Sequence, residues 1–195
     1  MSIEPKAPHP LKRLRSHLTT GPRAIALRWV DVAHRRVLGS PIRELSEVGP
    51  SLMLGGQHYY KKGYQRLLDY GITAIVNMRK EHSDLEKGIA GERHLQLATT
   101  DNTPPGLDDL MRGVDFINAE IAGGGKVYIH CAVGCGRAPT MTAAYLIATG
   151  DSPEQALKRI RKVRPFINLT NKQKRVLDEF AAAWANRPDA DPCPS

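Results

Sequence analysis

Short apolar runs of strand character alternate along this chain with longer stretches whose apolar residues recur every three to four positions. The clearest run is Ile72-Thr73-Ala74-Ile75-Val76-Asn77-Met78, which is apolar almost throughout. Such continuity predicts a strand buried on both faces, the habit of parallel sheets covered by helices. Val127-Tyr128-Ile129 and residues 94–98 read as further strands, and 42–48 and 51–54 as two short ones joined at Gly49-Pro50. Gly55-Gly56 then reads as a bend. Helical spacing covers 59–70, with Tyr64, Leu67 and Leu68 inward and Gly71 as its cap, then 107–121 and 139–149. Ser152-Pro153-Glu154-Gln155 and Thr170-Asn171-Lys172-Gln173 have the form of capping boxes and open two more helices, the first ending before Pro165 and the second near 186. Strands alternating with helices, then helices alone, predict an α/β domain with a central, mostly parallel sheet flanked by helices.

Three segments follow: a basic extension over 1–40, partly helical, a folded domain over 41–187 and a polar, proline-bearing tail over 188–195. In the extension, 23–38 has helical spacing, with Ala26, Trp29, Val30, Ala33 and Val37 on one stripe and Arg28, Asp31 and Arg35 opposite. Trp29 is a large apolar anchor, so the stripe is expected to pack on the core. The competing reading makes residues 1–36 an arm for an anionic membrane surface or a phosphorylated partner, because Lys6, Lys12, Arg13, Arg15, Arg23, Arg28, Arg35 and Arg36 face only Glu4 and Asp31.

The net charge of +8 favours acidic partners in general. Three cysteines, Cys131, Cys135 and Cys193, are too few for a secreted disulfide framework, and no apolar stretch is long enough to span a bilayer. The prolines and charges of 1–15 leave no room for the apolar core of a signal peptide, so a reducing cytoplasm is the expected setting.

The candidate chemistry lies in residues 126–139. Cys131 ends a strand, Arg137 opens a helix with Pro139 in its first turn, and five residues including Gly134 and Gly136 lie between. A loop of that form can turn the backbone N–H groups of Ala132, Val133, Gly134, Cys135, Gly136 and Arg137 inward above a helix N-terminus, which makes an anion cradle. A thiol in that field ionises more easily than a free one, and a guanidinium grips two phosphate oxygens together. Nucleophilic attack on a phosphoester is the reaction these parts suit. Gly123-Gly124-Gly125-Lys126 is only a turn, because it precedes a strand. His130, Cys131 and Cys135 lack a fourth ligand at any usual zinc spacing, so neither metal nor cofactor is expected.

His130-Cys131-Ala132-Val133-Gly134-Cys135-Gly136-Arg137 resembles the signature loop of the cysteine-dependent protein tyrosine and dual-specificity phosphatases, and the element order matches over roughly 42–185. The resemblance implies Cys131 as nucleophile, Arg137 as phosphate clamp and a phosphocysteine intermediate. Asp101, thirty positions before Cys131 in the loop after a strand, matches the family's general acid. Asp108 and Asp109 are its rivals, though carboxylates in a helix's first turn ordinarily complement the dipole. Gln173 resembles the glutamine that places the hydrolytic water, with its capping box as the alternative, and His130 is expected to tune the sulfur and hold the loop by hydrogen bonds. Ala138 departs from the usual Ser or Thr; Arg-Ala-Pro resembles the regenerating-liver and glucan phosphatases.

The implied substrate is a phosphorylated protein, or with the same chemistry a phospholipid, phosphoglucan or RNA 5′-phosphate; no sequence-specific nucleic acid binding is expected. Ala132, Val133 and Cys135 stand where the phosphoinositide enzymes carry lysines, which argues against a polyphosphorylated head group. A rhodanese-type sulfurtransferase and a phosphate-binding module without turnover are the alternatives of other classes.

Overall fold

The computed structural model describes residues 21–187; residues 1–20 of the extension and the 188–195 tail lie outside the described residues. Helix α1 (Pro22–Leu38) and a short 3-10 turn (Arg43–Leu45) lead into β1 (Glu47–Gly49) and β2 (Leu52–Gly56). Then come α2 (Tyr60–Asp69), β3 (Ala74–Arg79), β4 (His94–Thr99), α3 (Leu107–Ala122) and β5 (Val127–Cys131). Three helices complete the chain: α4 (Arg137–Ala148), α5 (Pro153–Val163) and α6 (Asn171–Ala185).

The five strands lie in the order β1-β2-β5-β3-β4, all parallel except the β1–β2 pair. Every residue of β3 and β5 is buried, including the polar Asn77, Arg79 and His130, as expected of central strands covered on both faces. Helices α3 to α6 cover one face through Leu54, Val76, Ile129, Met141, Leu177 and Phe180; on the other, Met53, Leu67, Ile75 and Tyr128 pack together with α2. Register places Gly56 beside Cys131 and Asn77 beside His130. The cysteine therefore emerges at the carboxyl edge of the central strand, where ligand sites of open parallel sheets form.

Several expectations need correction. Of residues 42–48, Arg43–Leu45 form the 3-10 turn, and the strand is confined to Glu47–Gly49. Gly55 and Gly56 belong to β2 and do not bend: a Cβ at Gly55 would strike the Tyr128 ring, and one at Gly56 the Arg35 guanidinium. Those glycines serve close packing. Leu68 faces outward, 39% exposed.

The largest correction concerns α1. Its stripe is reversed: Asp31 and Arg35 are buried, whereas Trp29 and Val37 are each 66% exposed. Periodicity defines two faces but does not say which one meets the protein, and here a buried ion pair fixes the choice. Arg35 Nε donates to Asp31 Oδ2 at 3.1 Å, and Arg164 Nη2 reaches the same oxygen at 2.9 Å. The helix then ends against α2, where a Cβ on Gly39 or Gly63 would collide with the other's backbone.

Candidate active site

Between β5 and α4 the chain wraps through Ala132 to Gly136, and five successive carbonyls are tied back to the protein. Ala132 O accepts from Gln57 N at 3.2 Å and Arg35 Nη1 at 3.3 Å. Arg164 donates to Val133 O and Gly134 O, both at 2.8 Å. Asn168 N reaches Cys135 O at 2.7 Å, and Thr140 holds Gly136 O through N–H and hydroxyl. In a planar trans peptide the C=O of one residue opposes the N–H of the next. Drawing these carbonyls outward therefore turns the N–H groups of Val133 to Arg137 to the opposite side. One of them, Gly134 N, lies 3.3 Å from Cys131 Sγ. Gly134 has φ +75°, and a Cβ there would meet the Gly55 backbone, so only glycine fits.

Arg137 is buried and directed into this cradle. Nη1 donates to Thr99 O at 2.9 Å, while Nη1 and Nη2 form a bidentate pair with Glu81, 2.9 Å each. Nη2 also lies 3.1 Å from Asp101 Oδ1. Arg137 Nε is buried without a hydrogen-bond partner among the described residues, a donor left for an oxyanion.

The loop after β4 thus brings Asp101 to the site with its carboxylate largely exposed; Asn102 at φ +62° turns the tip. Asp109 pairs instead with Arg112 on α3, and Asp108 is exposed in the same first turn. Gln173 is buried beside Gly136, and the capping box is complete in both directions. Its Oε1 accepts from Thr170 N and its Nε2 donates to Thr103 O at 2.9 Å. One end of its amide therefore braces the loop that carries Asp101, while the other closes the cap of α6. Ala138 is buried and offers no hydroxyl.

His130 is fully buried, its ring stacked on Tyr128 and Nε2 2.6 Å from Asp84 Oδ2. Its bond goes to Asp84, in place of the expected bonds to the loop. Burial drives its pKa down more strongly than Asp84 raises it, so the neutral ring donates Nε2–H. Asp84 is desolvated too, yet the surrounding histidines hold its carboxyl far below the usual range, and Arg79 Nη2 pairs with it at 2.6 Å. Arg79 therefore lies beneath the cleft, 2% exposed, with its guanidinium joined to Gln57 and Asp84.

His58, Asp84 and His130 present potential ligand atoms within 4.8 Å of one another, but Arg79 already supplies Asp84 with its counter-charge. Burial pushes the Cys135 thiol up to about 11, which keeps it protonated and suits a rim residue better than a redox partner.

Sequence reasoning missed Glu81, Asp84, Asp31, Arg35 and Arg164 as parts of this site. Position after β3, at the carboxyl edge, was an available signal for Glu81. Arg164 sits in a basic run that reads as solvated surface, and nothing local distinguishes it.

Beside the loop, between the ends of β2 and β3, lies a cleft of about 590 Å³. Arg36, Tyr59, Lys61, Arg79 and Lys87 line it, together with Gln57, which contacts the loop.

Residues 52–151 match a family profile described as "Polymorphic toxin system, DSP-PTPase phosphatase". The chain is 34% identical over 142 residues to human phosphatidylglycerophosphatase and protein-tyrosine phosphatase 1, covering 68% of this chain and 71% of that one. Human dual specificity protein phosphatase 5 is 30% identical over 124 residues, 62% of this chain and 30% of its own length. Among solved structures, PTPMT1 in complex with PI(5)P superimposes with a TM-score of 0.66 at 32% identity, over 71% of this chain and 95% of that one. With the profile spanning half the chain and relatives this similar, the protein belongs to the cysteine-dependent protein tyrosine and dual-specificity phosphatases, which are phosphoric monoester hydrolases.

Proposed function

We propose that this chain hydrolyses the phosphomonoester of a phospholipid head group through a phosphocysteine on Cys131. The observation that carries the chemistry is the unpartnered Arg137 Nε beside a loop whose carbonyls are all drawn away from Cys131 Sγ. Attack by the thiolate forms an S–P bond as the P–O bond to the leaving alcohol breaks. The N–H groups of Val133 to Arg137, with Arg137 Nε, hold the three equatorial oxygens as charge redistributes. Asp101 gives its proton to the departing oxygen and then takes one from the water that attacks phosphorus, breaking the S–P bond and restoring the thiolate. Glu81 and Thr99 O keep the guanidinium aimed, and Gln173 holds the Asp101 loop in reach. His130 steadies the end of β5 behind the sulfur and does not touch substrate.

A lipid substrate is supported by relatives named as phosphatidylglycerophosphatases, human and plant, and by the cationic cleft beside the loop, which suits an anionic diester next to the scissile phosphate. Phosphotyrosine in protein is the second reading, favoured by the relatives named as dual specificity phosphatases. Phosphate release from phosphatidylglycerophosphate, phosphotyrosine and phosphothreonine peptides, phosphoglucan and 5′-phosphorylated RNA, with Cys131→Ser as blank, tests the choice. The lipid should be turned over with the highest kcat/KM. A peptide preferred over every lipid sinks the lipid reading, and turnover surviving in Cys131→Ser sinks the mechanism.

A further inference from the structure

The outward face of α1 is apolar along its whole length. Pro22, Ala26, Trp29, Val30, Ala33 and Val37 succeed one another at helical spacing and all are exposed. Trp29 and Val37 are 66% and Val30 is 53% open to solvent. Soluble helices bury such a stripe, and here the polar residues are buried in its place. The exposed charges carried by the helix itself have one sign. The helix's only acid, Asp31, lies on the buried face, whereas Arg23 and Arg36 are exposed at its two ends.

The stripe does not stop at Val37. Lys62 Nζ donates to Val37 O at 2.9 Å and lies 5.8 Å from the ring centre of Tyr60, which is itself 56% exposed. Tyr60, Lys61 and Arg36 then form the near wall of the cleft beside the catalytic loop. Apolar residues on the outer ridge therefore run, through a collar of cations, to the mouth of the site.

We infer that this face of α1, continued by Tyr60 and Lys61, is a docking surface for an anionic lipid bilayer. The inference deepens the lipid-phosphatase reading and rests on it for the choice of occupant. A helix lying in the interface plane sinks its apolar side to the headgroup boundary, with tryptophan at that depth and cations against anionic lipid. The stripe runs about 25 Å along the helix, and the cations exposed at its two ends complement an anionic surface. A second copy would bring like charges together. With α1 lying on the membrane, the cleft opens toward the same surface, and a phosphorylated head group reaches Cys131 without its acyl chains leaving the bilayer.

The test uses the full chain in a Trp184→Phe background, so that Trp29 is the remaining tryptophan. Vesicles of phosphatidylcholine alone are compared with vesicles also containing phosphatidylglycerol. Expected are a blue shift of Trp29 emission and co-sedimentation with the anionic vesicles only, both weakened by added salt. With Trp184 retained, Trp29→Ser with Val37→Ser should lower the partition constant roughly tenfold or more, and Arg23→Gln about fivefold. The double variant should keep its rate on p-nitrophenyl phosphate within about twofold, since both side chains face solvent. Equal binding to neutral vesicles, or anionic binding unaltered in the double variant, overturns the proposal. So does Trp29 emission already blue-shifted without vesicles, in a dimer (a second copy covers the face) or in a monomer (residues 1–20 cover it). Vesicle binding with no turnover of phosphatidylglycerophosphate upholds the docking surface and rejects the substrate instead.

Discussion

Asp31 is the residue by which an N-terminal helix comes to govern a loop a hundred positions later. Its Oδ2 accepts from Arg35 Nε and Arg164 Nη2, and all three side chains are at most 1% exposed. The two arginines in turn hold the carbonyls of Ala132, Val133 and Gly134. Asp31→Asn preserves shape and removes the charge, leaving two buried guanidiniums without a counter-ion. Removing one partner of a buried pair costs about 3–5 kcal/mol. For a domain of this size that corresponds to a fall in Tm of roughly 6–20 °C. The loop should loosen with its clamps, because each bond from a charged donor contributes about 1.5–3 kcal/mol. Thermal unfolding and the inhibition constant of inorganic phosphate measure the two consequences separately. Phosphate should inhibit roughly tenfold more weakly, equivalent to about 1.4 kcal/mol of lost oxyanion binding. Trp29→Ser, on the opposite face of the same helix, should change neither quantity by more than about 0.5 kcal/mol. An Asp31→Asn protein melting within about 2 °C of wild type, with unchanged phosphate inhibition, refutes the reasoning, since that shift corresponds to under about 1 kcal/mol.

Asp101→Asn should cut kcat on an alkyl phosphate by about 10²–10⁴-fold and on an activated aryl phosphate much less, because only the poor leaving group needs the proton; the same pattern in Asp108→Asn or Asp109→Asn would move the role. Gly134→Ala imposes a side chain at positive φ against the Gly55 backbone, so it should cost more than about 2 kcal/mol and abolish turnover, read by calorimetry and p-nitrophenyl phosphate hydrolysis. Stability should also fall in mild acid. Burial lowers His58 from 6.5 to about 4, so between those values the unfolded chain binds more protons than the folded one. Stability is then complete above pH 7 and is lost as pH drops, by about 2 kcal/mol at pH 5 from His58 alone, with His130 acting in the same sense. Denaturant midpoints from pH 7.5 to 5 measure it, and an unchanged slope in His58→Asn would exclude His58 as the cause.

The linear sequence determined the features that depend on neighbours along the chain. Apolar continuity in 72–78 and 127–129 specified buried parallel strands, the two capping boxes fixed where α5 and α6 begin, and the spacing from Cys131 to Arg137 defined a strand–loop–helix cradle. Asp101 was legible through its place after β4 and the family resemblance, and the structure brings it to Arg137. Tertiary structure alone decided which side of α1 turns inward, because an amphipathic period is symmetric with respect to partners that lie a hundred residues away. It also selected Arg164 from a run of basic residues that are locally alike, made the Gly55-Gly56 pair a packing requirement, and recruited Glu81 and Asp84 across the sheet edge. Buried charges are placed by their partners, and the contacts that decided these positions, Arg164 with Asp31, Arg137 with Glu81 and His130 with Asp84, join residues far apart in sequence.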